Sequence, residues 1–140
     1  MKKLIFGLAL VFVELPCTAK AITVDDDGPA DFNNIQAAIN DANDGDTIEV
    51  QPGTYTGPGN RDIDFKSKAI TVCSIDPNDP NIVAATVIDG EGDWFSCNEC
   101  SWCEEHRGFV FRNGEDTNSV LAGLTIMRFC APAEIIMWTM

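Results

Sequence analysis

Four side chains that bind soft metal ions recur at every third position of one short segment: Cys97, Cys100, Cys103 and His106. Thiolate and imidazole donors at short, even spacing are what a structural zinc site requires. An iron–sulfur cluster is a second alternative, but its usual run has a further cysteine three residues on and then proline, where this chain has Glu104, Glu105 and His106. The segment therefore predicts a candidate zinc site at these four residues.

Two acidic segments carry the oxygen ligands that calcium prefers. Asp89, Glu91 and Asp93 alternate with glycine, and a run of three aspartates occupies residues 25–27. Neither segment fits the EF-hand loop. Because acidic residues that alternate with glycine also suit a bend between strands, turn chemistry is the alternative. Asp89, Glu91 and Asp93 are the candidate calcium ligands.

Two tryptophans, Trp94 and Trp102, lie in or beside the cysteine segment. Aromatic faces stack on sugar rings, so both residues are candidate glycan contacts. The alternative is that they fold back over the apolar core.

The first 21 residues have the features of a secretory leader. Lys2 and Lys3 precede ten apolar or glycine residues from Leu4 to Val13, and Ala19 and Ala21 supply the small residues before a cleavage site. Ten residues are too short to span a hydrocarbon core about 30 Å thick. We therefore expect a signal peptide over residues 1–21, a mature domain over residues 22–140, and a secreted protein at the cell surface, in the periplasm or outside the cell.

Export changes the expectation for the cysteines. The mature chain keeps five of them: Cys73, Cys97, Cys100, Cys103 and Cys130. In an oxidising compartment disulfides are favoured over metal binding. Within the loop, Cys97 and Cys103 are the expected pair, because a bridge across two intervening residues closes a strained small ring. No cofactor is expected, and zinc and calcium are the candidate ions.

The charge excludes one class of partner. The chain has 22 acidic and 9 basic residues and a formal net charge of −13. A nucleic-acid-binding protein needs a cationic face, so no nucleic acid is expected as a partner. After the leader, no segment is apolar enough to predict a membrane span.

One amphipathic helix is predicted from about Asp31 to Asn43. Its apolar residues recur at helical spacing: Phe32, Ile35, Ala38, Ile39 and Ala42. Asp31 suits the N-cap and Gly45 suits the left-handed position after the helix. A helix this short is marginal alone and must lie on another element.

Short runs rich in Ile, Val and Thr follow the helix: 47–50, 69–72, 85–88, 109–111 and 124–126. The intervals from Ile48 to Ile70 and from Val87 to Phe109 are both 22 residues. This spacing suits one turn of a solenoid better than the tight hairpins of an antiparallel sandwich. The predicted inward residues are Ile48, Val50, Ile70, Val72, Val87, Phe109, Phe111, Leu124 and Ile126.

The opening of the mature chain resembles right-handed parallel β-helix proteins of the pectin-lyase-like superfamily, in particular secreted bacterial β-helix repeat proteins. The similar segments are IQAAI at residues 35–39, DGDTI at 44–48 and VQPGTY at 50–55, followed by VIDGEG at 87–92 and LAGLTI at 121–126. The resemblance implies an all-β solenoid with a short N-terminal capping helix, over roughly Ile22 to Met127. The last ten residues bring no further coil or polar capping turn, so we expect a truncated solenoid.

The same resemblance assigns no catalytic residue. Lyases of this superfamily use grouped aspartates with calcium and an arginine base, and hydrolases use grouped aspartates, and no segment here matches either set. We therefore expect a non-catalytic module that binds a polysaccharide or a cell-surface protein. The alternative is the N-terminal part of a polysaccharide lyase or glycoside hydrolase. Whether the chain belongs to an enzyme stays open at this point.

Overall fold

The computed structural model describes residues 19–92 and 106–129. Nine short strands and two short helices lie in these ranges, in the order β1 (Ala21–Val24), α1 (Ile35–Asp41), β2 (Thr47–Val50), β3 (Gly53–Tyr55), β4 (Ile63–Asp64), β5 (Thr71–Ser74), α2 (Pro80–Ala85), β6 (Thr86–Asp89), β7 (Phe109–Val110), β8 (Val120–Ala122) and β9 (Thr125–Met127).

The strands form three sheets, and all the pairs between these strands are parallel. One sheet has the order β1-β2-β5-β8, a second has β3-β6-β9, and β4 pairs with β7 in a third. The structure therefore confirms a mostly β chain with parallel sheets and few helices. Antiparallel hairpins, the pairing that would contradict the expected architecture, are not found among the described strands.

The four-stranded sheet alternates buried and half-exposed side chains. Ile22 pairs with Ile48, which pairs with Val72, and all three side chains are fully buried. Parallel strands with period-2 alternation place such residues in one column on one face of the sheet. The apolar core also takes residues from the other elements: Ile35, Ala38, Ile39, Ala42, Tyr55, Ile63, Phe65, Ile70 and Ile88.

The strand register corrects the predicted 22-residue repeat. Ile48 pairs with Val72 rather than Ile70, and Phe109 pairs with Ile63 rather than with the Val87 strand. A shift of one residue exchanges the two faces of a strand. In β6 the inward residue is one position later than predicted. Ile88 is buried, whereas Val87, predicted to point inward, is only half-buried.

Other predicted inward residues fall into two groups. Ile48, Val50, Ile70 and Val72 are buried as predicted. Phe109, Phe111 and Leu124 are partly buried and pack against the core. Ile126 is 45% exposed although it pairs with buried Ile88, because its strand is the last in the order of its sheet.

Helix α1 is shorter than predicted and begins later. Asn34 is its N-cap, and the Asn34 side chain accepts a hydrogen bond from the Ala37 amide at 2.8 Å. Asp31, the predicted N-cap, instead accepts bonds at 2.9 Å from the amide and hydroxyl of Thr23. The predicted C-terminal role of Gly45 is also wrong, since the helix ends at an extended Ala42 and Gly45 adopts φ 91° in the next turn.

Two side chains, one in helix α1 and one outside it, attach the helix to the rest of the structure. The Gln36 amide donates to the Asp64 carbonyl at 3.1 Å and accepts from the Asp64 amide at 2.8 Å, so it extends β4 as a strand would. Three carbonyls at the end of the helix, those of Ile39, Asn40 and Ala42, accept bonds from the Lys68 ammonium. These contacts explain how a seven-residue helix stays in place.

Candidate functional site

Of the predicted site residues, six lie outside the residues that the structure describes: Asp93, Trp94, Cys97, Cys100, Trp102 and Cys103. The segment that carries them leaves the described structure after Gly92 and returns at His106. The glycan-stacking, disulfide and zinc predictions at these residues stay predictions. His106, Asp89 and Glu91 are described, and their surroundings define the base of this segment.

His106 is paired with an aspartate that the sequence did not single out. Its Nδ1 lies 2.6 Å from Asp62 Oδ2, and the second oxygen of Asp62 accepts from the Arg107 amide at 2.8 Å. Because an ionised carboxylate only accepts, Nδ1 carries a proton in this contact. A ring nitrogen that donates to a carboxylate is also the arrangement found in zinc-binding histidines, whose other nitrogen binds the metal.

Asp62 adopts a left-handed backbone conformation, with φ 53°. This conformation is uncommon for residues with a side chain, and Asp is among those that tolerate it best. The Asp62 amide also donates to the Arg107 carbonyl at 2.5 Å. Three hydrogen bonds therefore connect Asp62 to the pair His106–Arg107 and fix the start of strand β7.

Asp89, a candidate calcium ligand, is held by an arginine. Its side chain is buried, and Arg128 donates to both of its oxygens, with Nε at 2.8 Å. The Arg128 hydrogen bond, against the opposing effect of burial, lowers the pKa of Asp89 below its usual value. The Glu91 amide adds a bond to Asp89 Oδ1 at 2.9 Å.

Glu91 points to a different partner. Its Oε2 accepts from the Gly57 amide at 3.1 Å and lies 3.7 Å from Arg61 Nη1. Its backbone is also left-handed, with φ 58°. Asp89 and Glu91 thus each form an ion pair with a different arginine. The calcium site, which also needs Asp93, stays a prediction.

The aspartates at residues 25–27 are the group that the structure brings together within the described ranges. One oxygen of each lies within 4.8 Å of the others. Asp25 Oδ1 accepts from the Gly28 amide at 3.1 Å, so the run forms a tight turn. Partial burial, followed by the charges of Asp27 and Asp25, raises the pKa of Asp26.

The aspartate turn at residues 25–27 and the strand before it explain why glycine and tyrosine occur in the PGTY segment, residues 52–55. A side chain at Gly53 would meet the carboxylate of Asp26 at 2.5 Å. The buried Tyr55 hydroxyl lies 2.9 Å from the Gln51 carbonyl and 3.1 Å from the Val24 carbonyl. Burial and the nearby aspartates raise the pKa of Tyr55, so the hydroxyl stays neutral and serves as a hydrogen-bond donor.

The four-stranded sheet presents a continuous outer face, defined here as the side opposite the core. One column of this face consists of Ala21, Thr47, Thr71 and Val120, and the next consists of Thr23, Glu49, Cys73 and Ala122. All eight side chains are short or medium in length, and neighbouring strands lie about 4.8 Å apart. The Cys73 thiol is free, and burial, followed by the charge of Glu49, raises its pKa.

No protein-family model, curated protein or solved structure matches this chain. Neither helix in the described ranges has the length and hydropathy that a membrane span needs.

The sequence did not indicate Asp62 or Arg61 as site residues. They follow the turn Gly57-Pro58-Gly59-Asn60, which predicts only a change of chain direction. Their partners His106 and Glu91 lie 44 and 30 residues further along the chain, on other elements. A charged pair directly after a glycine-rich turn was the one local signal.

Proposed function

We propose that this chain is a non-catalytic binding module that contacts a carbohydrate through the outer face of its four-stranded sheet. The observation that supports this proposal is the register of that face. Thr47 and Thr71 are neighbours in one column, with Glu49 and Cys73 beside them in the next. Their half-exposed side chains give this part of the face two hydroxyls, a carboxylate and a thiol.

The proposal includes the architecture that the resemblance implies, a right-handed parallel β-helix. Two features support it. Each later pass of the chain adds its strand in parallel beside an earlier one, in all three sheets. Crossovers between parallel strands are right-handed in about 98% of cases.

The charge favours a neutral glycan over an acidic one. A formal charge of −13 repels a polyanion unless a divalent cation bridges the two. Hydroxyl groups on a flat surface can exchange hydrogen bonds with sugar hydroxyls. A cell-surface protein is the other partner class, and the predicted leader makes both accessible to a secreted protein.

The second candidate function is a part of a polysaccharide lyase or glycoside hydrolase. The His106–Asp62 contact favours it, because a carboxylate that orients an imidazole is the arrangement of a general base. It would require a substrate within reach of the His106 ring.

Calorimetric titration of the full chain against a panel of neutral and acidic oligosaccharides tests the proposal. The double variant Thr47→Val/Thr71→Val removes two hydroxyls of the outer face while keeping side-chain shape. We expect the wild type to bind a neutral oligosaccharide and the double variant to bind at least about tenfold more weakly, the effect of roughly 1.4 kcal/mol for two lost hydrogen bonds.

Thr54→Val is the matched control, since Thr54 is an exposed threonine of strand β3, in another sheet. It should bind like the wild type. Equal binding by the double variant would contradict the assignment of the outer face. Glycan cleavage that is lost in His106→Gln would instead support the enzyme.

A further inference from the structure

We propose that Asn113–Gly114 is a self-modification site, at which the Gly114 nitrogen attacks the Asn113 side chain while the Ser67 hydroxyl stabilises the attacking group. The dipeptide follows strand β7, and both residues are exposed. Gly114 has φ 89°, and nothing lies within 4 Å of the position that a side chain would occupy.

The reaction is an intramolecular deamidation that needs only water. A bond forms between the Gly114 nitrogen and Asn113 Cγ, and the bond from Cγ to Nδ2 breaks. The Gly114 N–H proton ends on the departing nitrogen, which leaves as ammonia. Water then adds to one of the two imide carbonyls of the five-membered ring, which gives aspartate or isoaspartate at position 113.

The attacking group is the peptide anion formed when the Gly114 nitrogen loses its proton. The negative charge of this anion is shared with the carbonyl oxygen of Asn113. Ser67 Oγ donates a hydrogen bond to that oxygen at 2.5 Å. A fixed donor aimed at the oxygen where charge develops favours the charged form, as in an oxyanion hole.

The Gly114 amide itself is not engaged. In the described part of the chain, no hydrogen bond is made by its N–H group. Attack by this nitrogen therefore does not require a hydrogen bond of the Gly114 amide to break. Gly114 also has no side chain to hinder the approach of its nitrogen to Asn113 Cγ.

Glu115 holds Ser67 beside the residue that is modified, Asn113. Its Oε1 accepts from the Ser67 amide at 3.0 Å, and its Oε2 accepts from the Asn113 amide at 2.8 Å. One carboxylate thus fixes both the residue that donates to the carbonyl and the residue that is modified. Glu115 is a positioning residue in this scheme.

The modification would remove a contact between strand β4 and the segment that follows β7. The Asn113 amide nitrogen donates to both oxygens of Asp64, at 2.8 and 3.1 Å. Aspartate at position 113 has no such donor and places a second carboxylate against Asp64, and like charges at hydrogen-bond distance repel. We therefore expect the product to release the segment after β7 from strand β4.

The test is peptide mapping by mass spectrometry of the full chain during incubation in mildly alkaline buffer. A free peptide with the sequence of residues 112–116 serves as the chemical reference. Conversion of Asn113 to aspartate and isoaspartate is expected in the wild type. Ser67→Ala should slow it about tenfold, the effect of one hydrogen bond to a charged group.

Two further variants make the result decisive. Ser67→Gly also lacks the hydroxyl but suits the φ of 60° at this position, so it should be slowed equally even if Ser67→Ala is poorly folded. Ser119→Ala, which removes a hydroxyl that donates to the Lys68 carbonyl, should react like the wild type. Equal rates in the wild type and both Ser67 variants would overturn the proposal, as would an intact Asn113 in the wild type while the free peptide reacts.

Discussion

The Asp89 carboxylate connects strand β6 to the residue that follows β9, because Arg128 donates to both of its oxygens. We expect Asp89→Asn to lower the free energy of unfolding at neutral pH by about 2 kcal/mol, since a half-exposed arginine loses its counter-charge. Urea unfolding monitored by circular dichroism measures the change.

The pH dependence of this difference follows from the lowered pKa of Asp89. A carboxyl whose pKa is lower in the folded chain stabilises the fold above its unfolded value of about 4, and this contribution disappears as the pH falls through the folded value. The wild type and Asp89→Asn should therefore converge in strongly acidic buffer. Asp116→Asn, at an exposed aspartate with contacts only inside its own turn, is the control. A difference that stays constant with pH would contradict the role of Arg128.

The cysteines give the second prediction at this scale. If the leader exports the chain, we expect disulfides among the mature cysteines, and intact-mass measurement without reductant should show a deficit of about two protons per bridge. Five free thiols with one bound zinc would contradict this expectation. In that case Asp62→Asn should weaken zinc binding by about 10- to 100-fold, because Asp62 orients His106.

The candidate site was predictable only in part from single residues. His106 and the cysteines stand out through their spacing, and the acidic residues through their alternation with glycine. The partners Asp62, Arg61 and Arg128 do not, because each contact joins two segments that are distant in sequence. Local spacing carries no information on such contacts until the register is known.

Strand β2 was predicted with its observed bounds, whereas strands β3 and β4 were not predicted. Thr47–Val50 is a four-residue alternating run, but β3 and β4 have only three and two residues. Alternation cannot be recognised in so short a segment. The start of helix α1 was misplaced because Asp31 and Asn34 are equally good N-caps by residue type. In the structure the Asp31 carboxylate accepts from the Thr23 amide, and Asn34 caps the helix.

Gly123 makes the connection between β8 and β9 possible. It adopts φ 65°, and a side chain there would overlap Pro77 and lie 2.7 Å from Ser74 Oγ. We expect Gly123→Ala to lower the free energy of unfolding by about 3 kcal/mol, through both backbone strain and overlap with Pro77. Gly57→Ala is a matched control, since Gly57 has φ 70° and nothing within 4 Å, and should cost only about 1 kcal/mol. Equal losses would show that the overlap has no effect.

Lys68 stabilises the end of helix α1 from outside the helix. Its ammonium donates to three carbonyls at 2.6–2.9 Å, those of Ile39, Asn40 and Ala42. We expect Lys68→Met to lower the free energy of unfolding by about 1.5 kcal/mol, because the substitution keeps the aliphatic stem and removes every donor. The control is Lys66→Met, since the Lys66 ammonium donates to the exposed Asn40 side chain and not to a helix carbonyl among the described contacts. Similar, small effects in both variants would contradict the capping role.

For the whole molecule, the two ends of the sheets differ. At the β1 end, helix α1 contacts β1 and β2, and Gln36 extends the edge of β4. At the other end, β7, β8 and β9 are the last strands in the order of their sheets. Periodicity predicted the parallel pairing, but it could not show which end would be covered.

We expect the chain to associate through the end formed by β7, β8 and β9. Val120, Ile126 and Met127 on β8 and β9 are 37–45% exposed. Within residues 19–92 and 106–129 no further strand pairs with the outer edges of β8 and β9, and such edges offer backbone groups to another chain. We expect the wild type to form dimers or larger species at tens of micromolar in sedimentation velocity. Lysines at two of these positions, in Val120→Lys/Ile126→Lys, should reduce association at least tenfold, because charges on an edge oppose pairing. Ile75→Lys, at an equally exposed isoleucine that follows β5, should associate like the wild type. A monodisperse wild-type monomer at these concentrations would contradict the prediction, since all three edges would then have to be covered within one chain.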